Sequence, residues 1–127
     1  MKKNHNRIHF NDLAENYKES INKERGALGI NSSYVDEYKI KISYRLNKKA
    51  KTILDYGCGI GLLQPYIYKY FKKADIYATD ISDKSLNIVR NNFKQTKVIP
   101  YDLSIKKQNY DLVIMSCVLH HVEEIER

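Results

Sequence analysis

The chain has 127 residues, 43% of them hydrophobic, and a formal charge of +7. That length suffices for one domain with its own core, and no apolar run is long enough to cross a membrane. Two widely spaced cysteines, Cys58 and Cys117, argue against a disulfide framework or a zinc module and for a reducing cytoplasm. The basic start, MKKNHNRIHF, has no apolar stretch after it, so it does not read as a signal peptide. The lysines are scattered, Asn, Ile and Tyr are abundant, and Trp is absent. The charge is therefore read as compositional rather than as a nucleic-acid footprint.

Residues 1–10 are polar. Phe10 to Ile21 can form a short helix with Leu13, Ala14 and Tyr17 on one side, ended by Gly26-Ala27-Leu28-Gly29. Ser33, with Asp36 three residues on, reads as the N-cap of a second helix. Val35, Tyr38, Ile42 and Leu46 then recur at spacings of three and four, as on one helix face.

From Lys51 the pattern changes. Thr52-Ile53-Leu54-Asp55 reads as a short apolar strand. Leu62, Leu63, Tyr66, Ile67, Tyr70 and Phe71 make two adjacent helical rows, with Pro65 tolerated in the first turn. Ile76 to Thr79 is a second strand, ending at Asp80. Ser82 can cap a helix running to about Phe93, with Leu86, Val89 and Phe93 inward. Val98 and Ile99, ending near Tyr101, make a third strand, and Leu112-Val113-Ile114-Met115 a fourth. Strands alternating with helices predict an α/β fold with a mostly parallel sheet. The lack of polar alternation predicts helices on both faces.

In such a sheet ligands sit beyond the carboxyl ends of the strands. The first strand-to-helix turn is DYGCGIG, Asp55 to Gly61, where glycines allow unusual φ values and a close backbone approach. Asp80, 19 positions after Gly61, stands where a carboxylate can accept from ribose hydroxyls. Together they read as a nucleoside-binding constellation. The dinucleotide fingerprint G-x-G-x-x-G, read from Gly57, requires glycine at position 62, which is Leu62.

The pattern here, G-x-G-x-G preceded by Asp55, resembles motif I of the class I S-adenosylmethionine-dependent methyltransferases. YATDIS resembles that family's second motif. YDLVIMSCVLHHV, residues 110–122, resembles its fourth strand and the segment after it. HFNDLAENY, residues 9–17, looks like the N-terminal segment that covers the cofactor in small-molecule members.

The resemblance implies a Rossmann-like three-layer sandwich with strand order third, second, first, fourth. It implies that residues 1–50 cover the cofactor site and residues 51–127 form the cofactor-binding half. S-adenosyl-L-methionine, with S-adenosyl-L-homocysteine as product, would be held by Asp55, Gly57, Cys58, Gly59, Gly61, Asp80, Ile81, Asp102 and Ser116. Asp55 would serve the methionine end, Asp80 the ribose hydroxyls, Ile81 the adenine face and Asp102 the adenine amino group. The family's sheet has seven strands and about four are legible here. A truncated domain is therefore expected, with an apolar fourth-strand edge able to self-associate.

His120 and His121 follow the fourth strand and are candidates for a general base. As neighbours about 100° apart on a helix they would not chelate one metal, and no metal is expected. Cys58 reads as a small residue of the motif rather than a nucleophile. YIYKYFKK, residues 66–73, reads as a helix with aromatics inward and lysines in solvent, not as a nucleic-acid surface. Asp111 is read as structural. Met115-Ser116-Cys117-Val118 stands where amino-methylating DNA enzymes carry Asn/Asp-Pro-Pro-aromatic, which points to a small-molecule or lipid-like acceptor. The competing readings are an NAD(P)-dependent oxidoreductase of Rossmann fold, a nucleic-acid-binding module and a non-catalytic interaction protein.

Overall fold

The computed structural model describes residues 11, 12, 14, 16–27, 32–101, 109–116 and 118. Two helices precede the sheet, α1 at Tyr17–Ala27 and α2 at Ser32–Leu46. Then follow β1 (Thr52–Tyr56), α3 (Gln64–Tyr70), β2 (Asp75–Thr79), α4 (Asp83–Asn92), β3 (Lys97–Val98) and β4 (Leu112–Met115). The four strands form one parallel sheet in the order β3-β2-β1-β4. This is the α/β, Rossmann-like arrangement expected from the alternating pattern.

The register places Ile53, Asp55, Ile76, Ala78, Leu112 and Ile114 on one face of the sheet. Helices α2, α3 and α4 all pack there. Ile40, Leu63, Ile67 and Phe71 meet Ile53, Ile76 and Ile114, while Leu86 and Val89 meet Ala78. Burying one such aliphatic side chain contributes about 1.5–3 kcal/mol, so these two clusters hold the helices to the sheet. On the opposite face Tyr77 and Tyr110 make an edge-on ring contact at 5.5 Å. Val113 and Met115 are exposed there among the described residues. Helices α2, α3 and α4 thus lie against this one face.

The ends of the elements follow local chemistry. Ser82 caps α4, its Oγ accepting from the Ser85 N–H, as its position predicts. Pro65 lies in the first turn of α3, where its missing N–H is harmless. Helix α1 runs through Gly26 to Ala27, beyond the predicted stop. Helix α2 includes Ser32, so Ser33 falls within the first turn rather than at the cap.

Its inward row also differs from the predicted face. Asp36 and Ile40 are buried and Tyr44 packs on the core, whereas Tyr38, Ile42 and Leu46 are exposed. The helix has apolar residues around most of its circumference. Docking on Ile53 and Ile114 decides which row turns in.

At the amino end of the sheet, Asp111 Oδ2 accepts from the backbone N–H groups of Lys51 and Thr52, at 2.7 and 3.1 Å. These bonds hold its carboxyl below the usual range. They tie the entry of β4 to that of β1, a structural role at the end remote from the turn.

Candidate functional site

The turn after β1 is pinned to β2. The N–H groups of Gly57 and Cys58 both donate to Thr79 O, at 2.8 and 3.0 Å. Gly57, Gly59 and Gly61 have φ of +73°, +52° and +87°, the left-handed region in which a Cβ is strained.

Beyond φ, their surroundings differ. A Cβ on Gly57 would lie 2.3 Å from Val118 Cγ2, and one on Gly61 would lie 2.6 Å from Phe93 Cε2. Those two glycines let the post-β4 segment and α4 close onto the turn. Among the described residues, a Cβ on Gly59 would meet the ring of Tyr17, at 4.0 Å. Gly59 is thus the least crowded of the three glycines among the described residues, with the ring of Tyr17 of α1 at van der Waals distance.

Asp80, at the end of β2, is bound into the turn. Its Oδ2 accepts from the Gly59 N–H and its Oδ1 from the Ser82 N–H, each at 2.8 Å. Burial pushes its pKa up, and the two backbone bonds oppose the shift. A carboxylate oxygen carries two lone pairs, so each oxygen keeps acceptor capacity beyond its backbone bond.

The N-terminal part is fastened near the same place. Asn11 Oδ1 accepts from Ser82 Oγ at 2.6 Å and from the Lys84 N–H at 3.3 Å. It thereby takes up a second free N–H at the start of α4.

Asp55 lies under the turn, on the core side. It is 1% exposed, and its Oδ2 accepts from Gln64 Nε2 at 2.7 Å. Gln64 Oε1 in turn accepts from Thr96 Oγ1 at 2.7 Å, and Thr96 Oγ1 is hydrogen-bonded to Tyr68 OH. Burial pushes the Asp55 carboxyl up to about 7; the Gln64 bond opposes this and the nearby Asp80 charge adds to it. Gln64 is fully buried and was not singled out in the sequence, where a polar residue before Pro65 reads as an ordinary helix start.

Cys58 is also turned inward, packed among Ala78, Leu86 and Val89. Burial raises its thiol well above the ordinary value, which disfavours a thiolate. Its backbone is engaged within the turn, the N–H donating to Thr79 O and the carbonyl accepting from the Gly61 N–H, each at 3.0 Å. Ile81 is half-buried beside Asp80.

Ser116 follows Met115, the register partner of Tyr56, and accepts from Lys39 Nζ at 2.9 Å. Lys39 is a second residue that sequence reading missed. Asp102, His120 and His121 lie outside the described residues.

In YIYKYFKK, Ile67 and Phe71 are buried and Tyr66 and Tyr70 pack against the core, whereas Lys69, Lys72 and Lys73 are exposed. Lys69 pairs with Glu37 of α2. Among the described residues, no three His, Cys, Asp or Glu side chains are grouped to hold a metal, and no helix is long and apolar enough to span a membrane.

Residues 54–127, more than half of the chain, match the family described as Methyltransferase domain. The chain belongs to that family, the class I S-adenosylmethionine-dependent methyltransferases of Rossmann-like fold. An uncharacterised methyltransferase of Schizosaccharomyces pombe is 23% identical over 94 residues, covering 62% of this chain and 32% of that protein.

Among solved structures, a TehB-like SAM-dependent methyltransferase from Corynebacterium glutamicum superposes with TM-score 0.64 at 24% identity, covering 89% of this chain and 60% of that one. The plantazolicin methyltransferase BpumL, solved with SAH, gives TM-score 0.56 at 22% identity, covering 88% and 48%. At these identities the structures show a shared fold. The chain spans about a third of the fission-yeast relative's length and three-fifths of the C. glutamicum chain.

Proposed function

We propose that this chain binds S-adenosyl-L-methionine over Gly59 and beside Asp80, and serves as the cofactor-binding part of a methyltransferase for a small-molecule or lipid-like acceptor. The observation that carries this reading is the hydrogen bond of Asp80 to Gly59, the glycine of the turn that is least crowded among the described residues. A nucleoside there would find a carboxylate with lone pairs for vicinal hydroxyls and a bare backbone at Gly59. The cofactor, when bound, supplies an electrophilic methyl group on sulfur.

The chain's own residues would then act by placement. Asp80 would hold the ribose, Ile81 the adenine face, and the positive-φ turn the backbone surface against which the ligand lies. Asp55, buried and joined to Gln64, would serve the methionine end through the turn that it keeps in place from below. Orientation of this kind can contribute several kcal/mol to a displacement without a charged catalyst, about 7–11 in well-aligned intramolecular cases. Where the acceptor must lose a proton, His120 or His121 is the proposed base. The acceptor class is supported by the fold shared with BpumL, which has been solved with a triazolic desmethylPZN analog and SAH.

Calorimetric titration with S-adenosylhomocysteine and, separately, NADH tests the reading. Binding of the first and not the second is expected. Binding of NADH alone would instead make the chain a nicotinamide-binding domain, against the evidence of Leu62 in place of the third fingerprint glycine.

A further inference from the structure

The outward side of α2 is apolar. Tyr34, Tyr38, Ile42 and Leu46 recur at every fourth position, and all four are exposed, Leu46 to 81%. Residues two apart on a helix point about 200° apart. With Ile40 buried in the core, Tyr38 and Ile42 therefore point away from the sheet. The row extends about 18 Å along the helix. At its start the rings of Tyr34 and Tyr38 stack, 6.1 Å between centroids.

The same stretch is one-sided in charge. Lys41 and Arg45 lie beside Ile42 and Leu46, and Lys48 and Lys49 form the turn that follows; all four cations are exposed. The two acids of this stretch are turned elsewhere. Asp36 is buried, and Glu37 accepts from Lys69 and Tyr70 of α3.

The occupant of such a row must satisfy both features. A second copy of the chain would set these four cations against four of their own, which is unfavourable. Four side chains also fall short of the roughly 800 Å² per partner of a stable protein interface. A nucleic acid would use the cations and the tyrosine rings, but Ile42 and Leu46 have no ring on which a base can stack. An anionic lipid surface uses every member of the row. Tyrosines sit well at headgroup level, aliphatic side chains enter the acyl boundary, and flanking cations meet the lipid charge.

We propose that the outward row of α2 docks the chain on an anionic bilayer surface, with Tyr34, Tyr38, Ile42 and Leu46 entering the interface and the four flanking cations pairing with headgroups. The contact is peripheral and reversible, since one short apolar row gives limited burial. It stands independently of the cofactor reading, because the row faces away from the sheet.

The test is sedimentation of the full chain with vesicles of phosphatidylcholine alone and of phosphatidylcholine mixed with phosphatidylglycerol. Binding to the mixed vesicles only is expected, weakening as salt rises. The double variant Ile42→Ser, Leu46→Ser should bind them about tenfold or more weakly. The double variant Lys48→Gln, Lys49→Gln should lose about tenfold through charge alone. All four positions are exposed, so the melting temperatures should stay near that of the wild type.

No binding to the mixed vesicles at low salt, equal binding to both kinds of vesicle, or variants that bind like the wild type would overturn the proposal. So would dimerisation of the wild type that Leu46→Ser abolishes, which gives the row to a second copy. Binding of a single-stranded oligonucleotide in place of the vesicles would overturn it likewise and give the row to nucleic acid.

Discussion

The Asp80 carboxylate accepts the Gly59 N–H at 2.8 Å, joining the end of β2 to the middle of the turn after β1. One side chain therefore does two things. It fixes the left-handed backbone of Gly59, and it keeps further lone pairs beside that glycine, the least crowded of the turn among the described residues.

Removing this side chain should be felt in binding more than in folding. Asp80→Ala loses hydrogen bonds from a ligand to a charged group, worth about 1.5–3 kcal/mol. Affinity for S-adenosylhomocysteine should fall at least about tenfold by calorimetry. Asp80→Asn, which keeps an acceptor for one backbone N–H, should melt closer to the wild type yet bind poorly. A folded Asp80→Ala chain with unchanged affinity would remove Asp80 from the site.

The three glycines should separate by experiment. Each substitution to Ala carries the left-handed penalty of roughly 1–2 kcal/mol. Gly61→Ala must also displace Phe93, adding about 1–3 kcal/mol of overpacking. Gly61→Ala should thus lower the melting temperature more than Gly59→Ala. Gly59→Val should abolish S-adenosylhomocysteine binding while the chain stays folded, as followed by circular dichroism. Normal binding by Gly59→Val would mean that the ligand does not lie over Gly59.

Asp55 should leave a pH signature. Its carboxyl is raised to about 7 by burial, whereas in the unfolded chain it ionises near 4. Between those values the unfolded chain has released a proton that the folded chain retains. Stability from this group is thus complete below about pH 4 and lost as pH rises through about 7. In Asp55→Asn that loss should vanish, so the melting temperature of the wild type should decline relative to the variant across this window. Gln64→Leu, which removes the donor to Asp55, should raise its folded-state pKa further and extend the decline to higher pH. Parallel melting curves for the wild type and Asp55→Asn would show that Asp55 does not hold its proton in the fold.

The parts of this site legible in the sequence are those that local chemistry dictates. Alternate glycines after an apolar strand, and an aspartate closing the next strand, imply a shared edge because parallel strands line up their carboxyl ends. Ser82 was readable for the same reason, as a hydroxyl two residues past a strand and before a helical pattern. The roles of individual glycines were not readable. Gly57 and Gly61 are constrained by Val118 and Phe93, which approach through the tertiary fold.

Gln64 and Lys39 were missed on similar grounds. Gln64 matters through Asp55 and Thr96, 9 and 32 residues away. Lys39 matters through Ser116, 77 residues away. Periodicity also could not choose the inward row of α2, because Tyr38 and Ile42 look as apolar as Ile40 until the sheet is in place. The third strand was read past its end: β3 is only Lys97–Val98, although the Ile99 N–H still donates to Ala78 O at 2.9 Å.

If a nucleoside-bearing methyl donor sits between Gly59 and Asp80, amide chemical-shift mapping with S-adenosylhomocysteine should find it there. Large shifts are expected for the amides of Cys58, Gly59, Ile81 and Ser82, and none for Lys51 and Thr52, which bond Asp111 at the opposite end of the sheet. Shifts confined to residues away from the Gly57–Gly61 turn, or no shifts at saturating ligand, would contradict that placement.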